Sequence, residues 1–299
     1  KHARHTACVD GRPRARYFQH APQSDPTQTR RPPSLIISLI SMNSEHPFTL
    51  VHQPADLPTH EQISLGAPHL DSVYAVGFAI DADWVETAYQ RGLFPWYNEG
   101  EPVLWHSPEP RMVLALDEFK ISQSLHKRLK QWARQPALGY RVTLNRCFDR
   151  VISACSETPR AGQDGTWIHS ALKNAYIELH RRQRAVSVEL WQHDQLVAGL
   201  YGVLIGKMFF GESMFTHVSD GSKVALACWV QCLREHGGQW IDCQQVTAHL
   251  TRLGARPLAR EVFFQRSAEW MHAEPINWSS LCAHDNLLNY FGPPLSTHA

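Results

Sequence analysis

The sequence predicts an α+β fold in which antiparallel strands are followed by a single crossover unit. Three apolar runs follow one another with only short turns between them, at residues 187–191, 196–205 and 207–215. A helical pattern then runs from Ser222 to a stop at Gly237 and leads into a short apolar strand, residues 240–241. A strand, a helix and a strand on this scale form one crossover, whose two strands pair in parallel.

Polar residues lie within the first strand of this crossover and directly after the second. Gly211, Glu212 and Ser213 interrupt the first strand, and Asp242 and Gln244 follow the second. Parallel pairing allows Glu212 and Asp242 to approach each other although they are distant in sequence. Polar groups inside strands that otherwise belong to a core are the first candidates for chemistry.

Residues 1–42 are interpreted as a disordered or non-native extension. They are rich in Arg, Pro, Gln and Thr, and residues 1–41 carry seven Lys/Arg against two Asp. Their apolar run, at residues 35–40, is too short for a signal peptide, and no small-residue cleavage site follows it. The first methionine is Met42, and we expect native translation to begin there.

Residues 43–118 predict a small N-terminal α/β domain. A strand candidate begins at Val73, and Asp83 is expected to cap a short helix. The stretch that follows, 93–114, is dense in Trp, Tyr and Pro, and its prolines exclude a regular helix. Its aromatic side chains either pack as ordinary core or form a wall of a binding cleft. Packing is preferred for a single Trp, but the second interpretation is preferred for Trp96, Tyr97 and Trp105, which are clustered with Asn, Glu and Arg.

A second domain is predicted at residues 119–272, and it begins with a basic amphipathic helix at 120–134. Ser122 is the expected cap. The buried stripe consists of Leu125, Leu129 and Trp132, and the outward cations include Lys127, Arg128 and Lys130. These cations form either a solvated face or a site for the phosphate backbone of a nucleic acid.

The remaining elements of this domain are a strand at 140–144 and helices at 146–155, 170–182, 247–253 and 260–270. A Gly- and Pro-rich loop before the second of these helices presents Trp167, and Ser170 is expected to cap that helix. Residues 273–299 are interpreted as a weakly patterned tail.

Composition limits the functional classes. The apolar fraction of 43% is enough for a hydrophobic core, and the net charge of +1 excludes a protein that is basic overall. Any nucleic-acid contact must therefore come from a local patch. No run approaches about 18 continuous apolar residues, so we expect neither a transmembrane helix nor a membrane partner.

Cysteine usage indicates a reducing, cytosolic setting, because the seven Cys form no CxxC pair and no framework spacing. Cys228 and Cys232 lie four residues apart near His236. This spacing fits either a metal site or an amphipathic helix in which Cys is a small buried hydrophobe. The second interpretation is preferred, and no metal is expected.

Antiparallel strands, a helix and a parallel strand, in this order, are the core order of the acetyltransferase-like (GNAT) fold. Eight segments add a more specific signal: AYQRGLFPWYNEGEPVLWHSPEPR (88–111), YRVTLNRCF (140–148), GTWI (165–168), SVELW (187–191), LVAGLYGV (196–203), MFFGESMF (208–215), SKVAL (222–226) and IDCQ (241–244). Together they resemble the leucyl/phenylalanyl-tRNA–protein transferase family. The resemblance covers residues 72 to about 265.

The resemblance implies a GNAT-like catalytic domain preceded by a smaller domain. It implies an enzyme that takes Leu, Phe or Met from an aminoacyl-tRNA and joins it, through a peptide bond, to the N-terminal Lys or Arg of an acceptor protein. The product is marked for degradation in the bacterial cytosol. No metal, CoA or other cofactor is implied, because the charged tRNA is the activated donor. A monomer in the cytoplasm is expected.

The resemblance also implies the catalytic residues Asp242, Gln244 and Glu212. Asp242 is expected to orient the attacking amine or to relay its proton, and Gln244 to hydrogen-bond the amine or the reacting carbonyl. Glu212 is expected to hold the cationic acceptor terminus or the aminoacyl amine. A structural alternative is that Asp242 only caps the helix that begins near Thr247.

The donor side chain needs an apolar slot. By resemblance its lining is Phe209, Gly211, Met214, Leu226 and Ile241, with Leu200 and Leu233 as outer members. A methylene discriminates by only ~1–3 kcal/mol, so tolerance of Leu, Phe and Met is expected. The tRNA 3′ end or the peptide cleft is assigned to Trp96, Trp167 and Ser213. The tRNA backbone is assigned to Lys127, Arg128, Lys130 and Lys223.

Several positions depart from the family pattern. The usual Gly-Gly-Asp after the first strand is Gly77-Phe78-Ala79 here, and the loop at 135–139 is longer than usual. Gln123 and Gln131 stand where basic residues are common in the tRNA-binding helix, and Trp229 stands where a smaller aromatic residue is usual.

Two other functions remain open. A CoA-dependent acetyltransferase needs a glycine-rich loop before the crossover helix, but residues 216–221 contain one Gly and an acid. A non-catalytic tRNA- or peptide-binding module explains the basic helix but not the polar residues of the two strands.

Overall fold

The computed structural model describes residues 49–66, 68, 72–158 and 168–293 and shows a mixed α and β fold. Its strands are β1 (Thr49–Val51), β2 (Val73–Gly77), β3 (Phe94–Pro95), β4 (Val103–His106), β5 (Arg111–Ala115), β6 (Tyr140–Leu144), β7 (Ala185–Gln192), β8 (Gln195–Ile205), β9 (Met208–Thr216), β10 (Trp240–Gln244) and β11 (Arg256–Leu258). Its helices are α1 (His60–Leu65), α2 (Ala82–Gln90), α3 (Gln123–Arg134), α4 (Phe148–Glu157), α5 (Ser170–Arg181), α6 (Gly221–Glu235), α7 (Ala248–Arg252), α8 (Arg260–Met271) and α9 (Trp278–Cys282). Short 3-10 helices lie at Pro54–Asp56, Leu116–Glu118, Pro136–Leu138 and Leu287–Phe291. The extension predicted at residues 1–42 lies outside the described residues.

Within this part of the chain the strands form a sheet of four, in the order β1-β2-β4-β3, and a sheet of seven, in the order β11-β5-β10-β9-β8-β7-β6. Strands β7, β8 and β9 are antiparallel neighbours. Strand β10 follows helix α6 and pairs in parallel with β9, which confirms the predicted crossover. Strand β5, which belongs by sequence to the N-terminal region, pairs with β10 and β11 in the larger sheet.

Two of the bulges in the larger sheet lie on the neighbouring strands β9 and β10. In β9, Gly211 lies opposite Gly202 and Ser213 lies opposite Tyr201, so Glu212 is an extra residue. In β10 the register shifts between Asp242 and Gln244. A bulge re-aims side chains and is frequent beside active sites. The polar residues that the sequence singles out therefore lie where regular pairing stops.

The larger sheet is buried on both faces. One face packs against α3, α6, α7 and the segment 276–288, and the other packs against α2, α4, α5, α8 and the smaller sheet. Strands that are covered on both faces need apolar side chains in both directions. This is why β8 and β9 appear in the sequence as nearly continuous apolar runs.

The helix starts agree with the sequence in one case and differ in two. Ser122 caps α3, as predicted. Asp81, rather than Asp83, caps α2, because only Asp81 has the extended backbone that lets its carboxylate accept from the first helical N–H groups. Ser170 is the first residue of α5 rather than its cap.

The C-terminal segment packs into the core as far as the structure describes it. Leu281, Leu287 and Leu288 are buried against the face that carries α3 and α6. The side chain of Asn286 accepts a hydrogen bond of 2.9 Å from the backbone N–H of Val142 in the edge strand β6. In the described ranges, no helix is both long and apolar enough to cross a membrane.

Candidate active site

Glu212 lies fully buried at the bulge in β9 and is held by two tyrosines. The hydroxyl of Tyr89, on α2, donates to Oε1, and the hydroxyl of Tyr176, on α5, donates to Oε2 at 2.8 Å. The two hydroxyl oxygens are 3.1 Å apart. Both tyrosines lie on the buried faces of amphipathic helices, so the helical repeat aims their hydroxyls at one interior point.

This environment shifts the ionisation of Glu212. Burial raises the pKa of its carboxyl group to about 7, because the charged form loses its hydration. The hydrogen bonds from the two tyrosines lower the pKa, and the nearby Asp242 raises it. A buried carboxyl group that changes charge near neutral pH is a candidate for proton transfer or for binding an ammonium group.

Asp242 forms a buried ion pair with Arg111 of β5. Arg111 donates from Nε to Oδ1 at 2.9 Å and from Nη2 to Oδ2 at 2.6 Å, and both side chains are fully buried. The guanidinium also lies over the rings of Phe94 and Phe263, at 4.9 and 4.7 Å from their centroids. Asp242 does not cap the helix after β10, because the side chain of Thr247 accepts from the N–H of Leu250 there.

Gln244 joins the ion pair to the carboxyl group of Glu212. Its backbone N–H donates to Asp242 Oδ1 at 2.9 Å, and its Nε2 donates to the carbonyl of Gly211 at 3.0 Å and to Glu212 Oε1 at 3.4 Å. Its φ is 57°, an uncommon conformation for a residue with a side chain. Gln244 Oε1 is buried and has no hydrogen-bond partner among the described residues, so it is an acceptor that a substrate N–H can use.

The structure gathers the predicted donor slot on the other face of the sheet. Side chains from β8, β9, β10 and α6 form one apolar cluster: Leu200, Phe209, Met214, Leu226, Leu233 and Ile241. All six are fully buried. The ring of Trp229 packs edge-on against Phe209, with 5.1 Å between centroids. A donor side chain can enter this cluster only if these groups move apart.

The predicted tRNA-backbone residues separate into two pairs. Lys127 and Lys130 are exposed on α3. Arg128 and Lys223 both contact Asp220, at 3.4 and 2.7 Å, and so link α3 to the start of α6. Asp220 therefore offsets part of the positive charge of this patch.

Of the residues assigned to the tRNA 3′ end or the peptide cleft, Ser213 directly follows Glu212 in the sequence. Its Oγ is buried and has no hydrogen-bond partner in the described part of the chain. Trp96 is half-buried and packs against His106, with 5.5 Å between ring centroids. Trp167 lies outside the described residues.

Three members of the buried network were not predicted from the sequence as site residues. They are Arg111, Tyr89 and Tyr176. Arg111 lies in the Pro-rich stretch 93–114, and the tyrosines fall on helix positions that periodicity assigns to the core. The available signal was a hydroxyl or a charge at an inward position, because such a group needs a buried partner.

Glu189, on β7, is a second buried carboxyl group, and its contacts are structural. It accepts from the hydroxyls of Thr143 and Ser187, each at 2.6 Å, and from the backbone N–H groups of Arg146 and Cys147 at the start of α4. Burial raises its pKa to about 7. All of these partners belong to the protein, and we assign Glu189 to holding the β6–α4 turn.

We expect the stability contribution of Glu212 to fall as pH rises. Its pKa is raised from 4.5 to about 7 in the folded protein, so the folded form keeps a proton that the unfolded chain has lost. The contribution is complete below pH 4.5 and is lost as pH rises through 7. The free energy of unfolding should fall by ~3 kcal/mol over this range. Urea unfolding of the wild type and of Glu212→Gln should show this loss as a difference between the two proteins that grows as pH rises, because the buried Glu189 is present in both. A difference between the two that is constant from pH 4.5 to 8 contradicts it.

Comparison with known proteins adds the family. Residues 113–268 match the family described as leucyl/phenylalanyl-tRNA protein transferase, and residues 78–109 match the N-terminal domain described for the same family. The bulges at Glu212 and after Asp242 lie within the first match, and Arg111, the partner of Asp242, lies just before it. A solved structure of L-PGS from Bacillus licheniformis covers 56% of this chain and 51% of its own, with a TM-score of 0.31 and 14% identity, which is too low to carry an argument.

Relatives named leucyl/phenylalanyl-tRNA–protein transferase are similar over most of their length. The protein of Burkholderia multivorans is 51% identical over 191 residues, which are 64% of this chain and 74% of the relative. The protein of Bordetella avium is 49% identical over 211 residues, which are 70% of this chain and 84% of the relative. The chain therefore belongs to the leucyl/phenylalanyl-tRNA–protein transferase family.

Proposed function

We propose that this protein transfers Leu, Phe or Met from an aminoacyl-tRNA to the N-terminal Lys or Arg of an acceptor protein. The observation that carries the proposal is that the match to the family spans β9, α6 and β10, and that the polar residues of β9 and β10 form one connected buried network. Burying polar groups costs free energy, and bulges are frequent beside active sites. A buried polar network on two bulged neighbouring strands is therefore best explained by a role in catalysis.

In the proposed reaction, the acceptor amine attacks the ester carbonyl of the aminoacyl-tRNA. A C–N bond forms, the ester C–O bond breaks, and the amine proton passes to the departing ribose hydroxyl. Gln244 Oε1 accepts from the attacking N–H and aims its lone pair at the carbonyl. Glu212 holds an ammonium group of donor or acceptor and can take up its proton, because its pKa lies near 7.

Asp242 acts as a positioning residue in this proposal. Both of its oxygens already accept hydrogen bonds from Arg111, and Oδ1 also accepts from the backbone of Gln244. It therefore fixes the conformation of Gln244 and balances the buried guanidinium. The direct proton relay inferred from the sequence is less well supported, because the charge of Asp242 is already paired with the Arg111 guanidinium, whereas Glu212 is held only by neutral groups.

The remaining assignments follow from the same proposal. The order β7-β8-β9-α6-β10 supports a GNAT-like catalytic unit, with a smaller N-terminal unit before it. The apolar cluster around Phe209 receives the donor side chain, and Lys127 and Lys130 contact the tRNA backbone. The 3′ end of the tRNA or the peptide cleft is contacted by Trp96, Trp167 and Ser213. We propose a cytoplasmic monomer without a cofactor.

A CoA-dependent reaction is disfavoured, because Asp220 places a carboxylate where a pyrophosphate would bind at the start of α6.

The test uses the full chain, radiolabelled Leu-tRNA and two model proteins that differ only in beginning with Arg or Ala. Label is expected on the Arg protein alone. Tight tRNA binding without transfer supports a binding module instead, and label on both proteins contradicts the proposed acceptor specificity.

A further inference from the structure

Three metal-binding side chains meet at the C-terminal end of α6, away from the buried network. Cys232 and His236 lie one turn apart on this helix, and His284 comes from the segment after α9. One donor atom of each lies within 4.8 Å of the others. The Cys232 Sγ and His236 Nδ1 atoms are 3.8 Å apart. Ligands of a tetrahedral zinc ion are separated by about 3.3–3.6 Å, so the cluster needs to close by about one ångström.

Further groups complete the surroundings of a cation. The hydroxyl of Tyr290 lies 3.3 Å from His284 Nε2 and also contacts the thiol of Cys232. Glu235, next to His236 in sequence, is close enough to act electrostatically on Cys232, His284 and Tyr290. One sulfur, two imidazoles and a neighbouring carboxylate are the donor types that zinc prefers.

His236 already has a partner for its outer ring nitrogen. Its Nε2 lies 3.0 Å from Ser280 Oγ, and its Nδ1 donates to the carbonyl of Cys232 at 2.8 Å. Binding of the ion to Nδ1 replaces the hydrogen bond to this carbonyl and moves the ring proton to Nε2, which then donates to the serine hydroxyl. This is the outer hydrogen bond that metal-binding histidines usually make, and it fixes the tautomer.

We propose that Cys232, His236 and His284 form a binding site for Zn²⁺, with Tyr290, Glu235 or water as the fourth ligand. Binding replaces the thiol proton of Cys232 by the metal, and the proton is released to the solvent. The sequence alone favoured a core role for Cys232. The third ligand, His284, is distant in sequence and comes from the C-terminal segment. Cys228, one turn earlier, does not belong to the cluster.

The site would fasten the C-terminal segment to α6. Ser280, His284 and Tyr290 all belong to this segment, and Asn286 within it holds the edge strand β6. A ligand that binds only the folded form raises its apparent stability. The bound ion is therefore expected to raise the unfolding temperature without taking part in aminoacyl transfer.

The experiment titrates the full-length, chelator-treated protein with Co²⁺ and then adds Zn²⁺. We expect one equivalent of Co²⁺ to produce a thiolate-to-cobalt charge-transfer band, which Zn²⁺ removes. Cys232→Ser should abolish the band. His284→Ala, at a half-buried position, should weaken Co²⁺ binding at least tenfold and remove the rise in unfolding temperature that Zn²⁺ causes.

Cys228→Ser is the matched control, because it removes a buried thiol from the same helix outside the cluster. It should keep the band and the affinity. The proposal is overturned if the wild type gives no band, or if Cys232→Ser and His284→Ala bind as tightly as the wild type, which would mean that other histidines of the chain take the metal. Circular dichroism of each variant separates loss of the site from loss of the fold.

Discussion

Replacing Arg111 by Met is expected to lower the free energy of unfolding by about 3–5 kcal/mol. The reason is the partner that remains: Asp242 is fully buried and would keep a charge without its bidentate guanidinium. Met retains most of the apolar length that packs between Phe94 and Phe263, so lost packing contributes less than the lost charge pair. Urea unfolding at pH 7, with the slope checked for two-state behaviour, measures this effect.

Arg256→Met is the matched control. Arg256 pairs with Glu118 at 2.8 Å, but both side chains are partly exposed, so its loss should cost less than about 1 kcal/mol. The double variant Arg111→Met/Asp242→Leu should recover part of the stability, because it removes both buried charges. Equal costs for Arg111→Met and Arg256→Met would show that the buried pair does not stabilise the fold.

Gln244→Ala is expected to lower kcat for Leu transfer by about 10²–10³ while the protein stays folded. The variant removes the buried Oε1 acceptor and the contacts from Nε2 to Gly211 and Glu212. The backbone N–H to Asp242 remains, so the ion pair is kept. Single-turnover transfer from Leu-tRNA to the Arg-initiated protein, together with the unfolding temperature, is the measurement.

The neighbouring Gln245→Ala controls for the loss of an amide at the end of β10. Gln245 is half-buried and should retain transfer within about twofold. If Gln244→Ala transfers as fast as Gln245→Ala, then Gln244 has no role in the reaction. In that case Glu212 is the remaining candidate in the network for activating the amine.

The sequence determined the local elements and the order of the crossover. The apolar runs of β7, β8 and β9 and the helical repeat of α6 are strong local patterns, and together they require a parallel β10. The motifs around Glu212 and Asp242 also determined which residues to examine, because polar groups within core strands need a reason to be there.

Only the tertiary structure decided what these residues touch. Asp242 pairs with Arg111 from β5, and Glu212 accepts hydrogen bonds from tyrosines on two helices. From the sequence, both tyrosines were explained as ordinary core residues. Likewise, His284 reaches Cys232 only because the C-terminal segment packs on α6. Periodicity tells which way a side chain points from its own strand or helix. The partner that it meets is set by how distant elements pack, and for buried polar groups that partner decides charge, pKa and function.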